Sequence, residues 1–334
     1  MIVIWAQKHK AYKLCPHNKL MYHEIRKIKG KTQNYLISNR RGSHGWIKKS
    51  RFIGYGKISK DKISYLKKKF EIELVSSKKY PYLTKIQALE LEHLRRAYFE
   101  KTNALSKEEF EQFEISYFTE LTYNSNSIEG NSLSLEETSL VVNENLVPEG
   151  KTLREIYEAK NHTQAISFLK SYKPDLDEKL ILKLHAIILN NISERFAGRY
   201  REGTVRIFGS DIRFPDAEKV PQLMRNLIYW YHQHRKEYHP FELAVILSTK
   251  LVSIHPFVDG NGRISRLLMN FILQKNKFPW INVYTKQRAE YLQAVRKGNE
   301  EEYVPILGFI VNTLRENLES FKLISERGKH DSHH

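Results

Sequence analysis

Two apolar segments joined by a short polar link constrain this chain more than anything else in it. "FELAVILSTKLVSI", residues 241 to 254, is apolar on nearly every side, and a helix of that composition is stable only where other elements cover it all round. "ISRLLMNFILQK", residues 264 to 275, begins a second apolar helix. Between them, "HPFVDGNGR", residues 255 to 263, holds a histidine, a carboxylate, two glycines around an asparagine, and an arginine. Pro256 disfavours helical backbone at His255, so the first helix ends there. A buried helical pair needs a shell of further helices, and the polar loop pinned between the two is rigidly supported.

The shell is legible. From about residue 84, apolar residues recur three and four apart in "TKIQALELEHLRRAYFEKTNA" and "SKEEFEQFEISYFTELTYNSNSIEG", and Ser106 with Glu109 reads as a capping box for the second. The same periodicity predicts helices over about 152–171, 176–192, 218–235, 240–254, 261–275, 287–298 and 301–323. "GRYREGTVRIFGSDIRFP", residues 198 to 215, breaks the pattern. Its runs "TVRIF" and "IRF" flank Gly-Ser-Asp and predict a hairpin at 204–214. Residues 20 to 58 read as small antiparallel strands with turns, followed by a short basic amphipathic segment, "KISYLKKKFEIEL". The expected fold class is mainly α, a helical bundle with one β-hairpin, behind a small basic N-terminal region that is α/β or β-rich. The polar end, residues 326–334, is expected to be disordered.

The formal net charge of +17 is unevenly placed: residues 1–80 hold 21 Lys+Arg and 4 Asp+Glu, whereas residues 81–334 hold 34 of each. Such asymmetry points either to an acidic partner, nucleic acid or an acidic protein surface, or to a plain solvated basic surface; no finger, RNP-type or helix-turn-helix signature decides between them. The single cysteine, Cys15, excludes an internal disulfide and a multi-cysteine metal site, which fits a reducing compartment, so the cytoplasm is expected. A charge already at Lys8 leaves no room for a signal-peptide core, and no apolar run reaches about 18 residues, so neither export nor membrane spanning is expected.

The loop offers specific chemistry. Gly260 and Gly262 permit positive φ and carry no side chains, so backbone amides can form an anion nest at the head of the following helix. Arg263 and Arg266, three apart on that helix, can add two charge-assisted forks. Asp259 is placed to hold Mg²⁺ against phosphate oxygens, and His255 has the pKa range to take a proton from an attacking hydroxyl. Singly, each residue has a structural explanation; together they serve a nucleotide better than a core.

"HPFVDGNGRISR" is similar to the full HxFx(D/E)GNGRxxR signature of Fic domains, with every specified position present. The resemblance, covering about residues 85–325, implies a Fic-type helical bundle with a β-hairpin flap. It also implies transfer of a nucleoside monophosphate, usually AMP from Mg-ATP, to a Ser, Thr or Tyr hydroxyl of a protein. By position it makes His255 the general base, Phe257 the anchor of the loop and Asp259 the Mg²⁺ ligand. Asn261 and the Gly260 and Gly262 amides become the phosphate cradle, with Arg263 on the β-phosphate and Arg266 on the γ-phosphate.

Three further regions take roles from the same resemblance. The hairpin matches the position of the flap, so Thr204, Val205, Arg206, Ile207, Phe208 and Ile212 are candidates to dock the target by β-augmentation. "RAEYLQAVRKGNEEEYVP" resembles the stretch lining the adenine site, with Tyr291, Leu292 and Val295 as wall and Asn299 as polar edge. "SNSIEG", with Ser125, Glu129 and Gly130, resembles the (S/T)xxxE(G/N) inhibitory motif of the class carrying it on a helix before the core. A Glu129–Arg266 ion pair at the γ-phosphate position is implied, able to suppress activity by roughly 100-fold.

The expectation is thus an autoinhibited protein adenylyltransferase using ATP and Mg²⁺, acting on an unidentified hydroxyl-bearing protein or on itself. An enzyme that also removes AMP, and a nucleic-acid-associated regulator controlled by nucleotide, are the alternatives. The expected division is a basic accessory region at 1–80, a helical segment with the inhibitory motif at 84–145, and the catalytic core at 146–325. Apolar helix faces leave a homodimer open.

Overall fold

The structure, a computed structural model, describes residues 21–42, 45–76, 80–205 and 213–330. It divides the chain into two compact units, Met1–Ser77 and Lys78–His334.

The first unit is an antiparallel meander followed by a helix. β1 (Met21–Ile28) pairs with β2 (Lys31–Gly42), and β2 with β3 (Gly45–Tyr55). Ile28 faces Lys31 across a two-residue turn in which Lys29 and Gly30 have φ of 49° and 75°, the all-positive geometry that matches strand twist. A register shift at Asn34/Tyr35 is pinned by buried Asn34, whose amide donates to the Gly54 and Gly56 carbonyls at 3.2 and 2.7 Å. α1 (Lys60–Ser76) lays Phe70 and Leu74 against Leu36 to close a small core. The basic N-terminal region is therefore α/β.

The second unit is a helical bundle. α2 (Lys85–Thr102), α3 (Lys107–Ile128), the short α4 (Leu135–Ser139) and α5 (Leu153–Ser171) each begin with a capping box, at Thr84, Ser106, Ser134 and Thr152 respectively. α6 (Glu178–Ile188) and α7 (Val220–His234) follow. α8 (Pro240–Ile254) and α9 (Asn261–Lys275) form the central pair, buried nearly all round as their composition requires. α10 (Arg288–Asn299) and α11 (Tyr303–His330) complete the shell. The fully buried Glu242 of α8 accepts the Tyr82 and Leu83 amides at 2.7 and 2.9 Å, fastening the entering chain to the core.

The predicted helices lie within a few residues of those observed, with two differences. α4 and the π turn Leu140–Glu144 have no counterpart in the predicted set, since ten residues are too few for a 3.6-residue period to register. α11 runs to His330, past 323 and into the stretch expected to be disordered, because after Pro305 in its first turn no proline interrupts it. No helix among the described residues is long and apolar enough to cross a membrane.

Candidate active site

The polar loop is a tight cap between the ends of α8 and α9. His255 closes α8 in the left-handed conformation, φ 49° and ψ 60°, an unusual state for a residue with a Cβ. Arg201 holds it there. Its Nε donates to the His255 carbonyl at 2.8 Å, its backbone N–H donates to the Pro256 carbonyl at 2.9 Å, and its other nitrogens donate to the carbonyls of Gly203 and Pro215. One buried guanidinium thus ties the loop to both ends of the segment where the hairpin is expected. Thr204 and Val205 carry no strand, and Arg206, Ile207, Phe208 and Ile212 lie outside the described residues.

Phe257 is fully buried and stacks on His185 at 3.7 Å, which makes it the loop's anchor. His185 is itself clamped: Nδ1 accepts the Gly198 amide at 3.0 Å, so Nε2 is the donor to the Asp259 carbonyl at 3.2 Å. Burial pulls its pKa down to about 4, and it stays neutral.

Asn261 differs from expectation. Its Oδ1 accepts the Phe257 amide at 3.0 Å and its Nδ2 donates to the Phe257 carbonyl at 2.9 Å, so the side chain ties the loop shut and only its backbone faces the head of α9. Gly260 has the expected positive φ, 82°, but Gly262 is helical, and space is what it supplies. A Cβ added at Gly262 would lie 2.1 Å from Glu129 Oε1.

A carboxylate therefore already occupies the head of α9. Glu129 Oε1 accepts from Arg266 Nη2 at 2.7 Å, while Arg266 Nε and Nη2 donate to the Ser125 hydroxyl and carbonyl at 3.1 and 2.8 Å. Ser125 and Glu129 sit at the end of α3, which Gly130 terminates with φ 101°. That end is stapled from α10, where Arg288 donates to the Ile128 carbonyl at 2.7 Å, and by Asn124, which accepts the Thr285 amide at 2.9 Å. Burial works against the Arg266 charge, but Glu129 and Tyr291 raise its pKa above the ordinary value.

A second ion-pair cluster surrounds Asp259. Its Oδ1 accepts from Gly260 N–H and Arg263 Nη2 at 2.6 and 3.1 Å, and its Oδ2 from Arg154 Nη2 at 2.5 Å. Burial favours the protonated acid, yet Arg263, the Gly260 amide and Arg154 together hold the pKa below the usual carboxylate range. Arg263 turns inward, with Nη1 3.2 Å from the buried Glu158 and with Nε and Nη1 lacking hydrogen bonds among the described residues. His162, next along the same face of α5, bonds Thr122 at 3.1 Å; burial, with Arg266 and Arg263 nearby, lowers its pKa to about 3.

The His255 ring stacks on Phe214 at 4.0 Å. Burial lowers its pKa to about 4, the Val252 carbonyl beside it works the other way, and Arg201 adds to the lowering; among the described residues its buried Nδ1 has no regular hydrogen bond. At neutral pH the imidazole is uncharged and able to accept a proton. On α10, Tyr291 and Val295 line a small cavity with Ser248, Thr249, Ser265 and Ile306, and Tyr291 also faces the Arg266 guanidinium. Leu292 points to solvent, and Asn299 accepts a 2.7 Å bond from Ser253, two residues before the loop.

Sequence reasoning missed Arg201, His185, Phe214, Glu158, Arg154 and Arg288. A signal existed for two: Arg154, Glu158 and His162 are spaced four apart, so they share one face of a predicted helix. No spacing rule singles out Arg201 or His185.

Residues 175–273 match the Fic/DOC family. The "Protein adenylyltransferase Fic" of Nematostella vectensis is 31% identical over 211 residues, 62% of this chain and 49% of that protein, so the chain spans about half the length of this curated relative. Among solved structures, "Fic-1 (aa134 - 508) from C. elegans" superposes with TM-score 0.64 at 24% identity, over 80% of this chain and 76% of that one. A Fic-domain-containing signaling protein from Bacteroides thetaiotaomicron superposes with TM-score 0.62 at 24% identity, over 69% and 95%. At that identity the two structures establish a common fold.

Proposed function

We propose that this chain, whose residues 175–273 match the Fic/DOC family and which is 31% identical over 211 residues to a protein adenylyltransferase Fic, is an autoinhibited protein adenylyltransferase, moving AMP from Mg-ATP to a Ser, Thr or Tyr hydroxyl of a protein. One observation carries the reading: the Glu129 carboxylate, itself an anion, sits on Arg266 at 2.7 Å in the space Gly262 leaves at the head of α9. A seat that accepts a carboxylate on a helix N-terminus and an arginine also suits a phosphate.

In the active state Arg266 leaves Glu129 for the terminal phosphate, while the α9 amides and Arg263 hold the phosphates nearer the reacting centre. Asp259 fits as the Mg²⁺ ligand, because it is an ionised hard oxygen donor beside the phosphate seat and Mg²⁺ needs few protein ligands when phosphates complete its shell. Bound there, Mg²⁺ would neutralise phosphate charge. Among the described residues no group of three or more His, Cys, Asp or Glu forms a self-sufficient metal cage. Uncharged His255 takes the proton of the target hydroxyl. The hydroxyl oxygen attacks the α-phosphorus, the bond to the β-phosphate oxygen breaks, and pyrophosphate leaves. Negative phosphate nearby raises the pKa of His255 and so strengthens it as a base.

Tyr291 and Val295 are the proposed adenine wall, and the 204–214 segment, held at its base by Arg201, the proposed docking strand for the target. Cys15 as the only cysteine supports a reducing, cytoplasmic setting. The test is incubation of the Glu129→Gly protein with each labelled nucleoside triphosphate and a cell lysate, followed by mass spectrometry. ATP-derived AMP on a hydroxyl residue, abolished by His255→Ala, is expected; no His255-dependent label from any nucleotide refutes the proposal.

A further inference from the structure

Outside the catalytic unit, the sheet of the first unit has two unlike faces. Strand register assigns them: Leu36 and its neighbours turn toward Phe70 and Leu74 of α1. The opposite face carries Tyr35, paired with Glu24 and Phe52 on one rung, and Gln33, paired with Arg26 and Tyr55 on the next. Three rings thus meet on one face, Tyr35 to Phe52 at 5.5 Å and Phe52 to Tyr55 at 4.9 Å, both edge-on. Arg26 lies over the Tyr35 ring at 4.3 Å. Phe52 is 44% and Tyr55 62% exposed, whereas Ile37 farther along β2 on the same face is fully buried, so the apolar exposure is concentrated at the end of the face that carries the rings.

The charge around these rings is of one sign. By the same register Lys31 and Lys48 share the ring face, both exposed, and Glu24, the one acid on it among the described residues, is already paired with Arg26 at 2.6 Å. Across residues 1–77 there are 19 Lys+Arg against 4 Asp+Glu. A cationic rim alone suits any polyanion, but exposed rings on a rigid sheet suit one with flat apolar faces to stack. Duplex bases hide those faces in their own stack, whereas unpaired bases present them.

We propose that this face binds single-stranded nucleic acid, with Tyr55 and Phe52 stacking on bases and Lys31 and Lys48 on the backbone phosphates. The mode is sequence-tolerant and salt-dependent, because rings and phosphates are common to every strand.

The test uses the full-length protein and a fluorescent 20-nucleotide single strand, with the matching duplex and anionic phosphatidylserine vesicles as comparisons, read by anisotropy and co-sedimentation. The single strand should bind more tightly than the duplex, with affinity falling as salt rises. Tyr55→Ala and Phe52→Ala should each weaken binding about 10-fold at unchanged melting temperature, and Lys48→Glu should reduce the salt dependence. Duplex binding as tight as single-strand binding, single-strand affinity unmoved by both ring substitutions, or vesicle binding without strand binding overturns the proposal.

Discussion

Replacing Glu129 by glycine removes the carboxylate that holds Arg266 Nη2 at 2.7 Å, and its effect can be worked out from the site. A hydrogen bond between charged partners contributes about 1.5–3 kcal/mol. The Glu129 side chain is 37% exposed, so solvent screening brings the value toward the lower half of that range, about 1.5–2 kcal/mol. At about 1.4 kcal/mol per factor of ten, this part alone corresponds to a 10- to 30-fold rise in AMP transfer. The vacated space adjoining Gly262 adds to it. Arg266 should not collapse, because Ser125 still accepts two of its bonds, and loss of the ion pair should likewise cost about 1.5–2 kcal/mol in stability, a few degrees in melting temperature. The assay is the initial rate of incorporation from α-labelled ATP, with His255→Ala in the same background as the blank and Glu129→Gln expected in between. A Glu129→Gly rate within about twofold of the parent, in protein that melts cooperatively, would refute the reasoning.

Three other outcomes are expected. Arg154→Ala frees Asp259 Oδ2 from an exposed ion pair, so Mg²⁺ should bind the ATP-loaded protein about 2- to 5-fold more tightly by calorimetry; equal or weaker binding would count against Asp259 as its ligand. Arg201→Lys keeps the charge but not the fork of donors, so transfer should fall at least about 10-fold. Amide exchange should quicken at 203–205, 213–215 and 255–260 and stay unchanged along α3. His162, His185 and His255 have folded pKa values of about 3, 4 and 4, below the unfolded value of about 6.5. Because the unfolded chain binds those protons first, their stabilisation is complete above pH 6.5 and is lost as pH falls toward 4. Urea melts at pH 7 and pH 5 should differ by about 2 kcal/mol per histidine, and His185→Gln should lessen the difference.

Legibility from sequence followed range. The α8–α9 pair, the capping boxes and the strands of the first unit are local patterns, and they stand where periodicity and turn chemistry placed them. The loop was legible as a set of groups but not as an arrangement. Asn261 bonds back onto Phe257 and Gly262 serves by leaving space, details of geometry that residue type does not carry. Arg201, His185 and Arg288 reach the site across 54, 74 and 160 residues of chain, and no spacing rule operates at such separations.

The stapling of α3 bears on how such a switch responds to its own substrate. Arg288 and Thr285 fix the helix end, so Glu129 is a competitor on a tether a few bonds long, present at an effective concentration that neither dilution nor partner abundance alters. On the proposed reading, ATP would have to outcompete a constant rather than a variable. The resting turnover at a given ATP level would then be set by the length and anchoring of one side chain, and loosening the end of α3 would raise it.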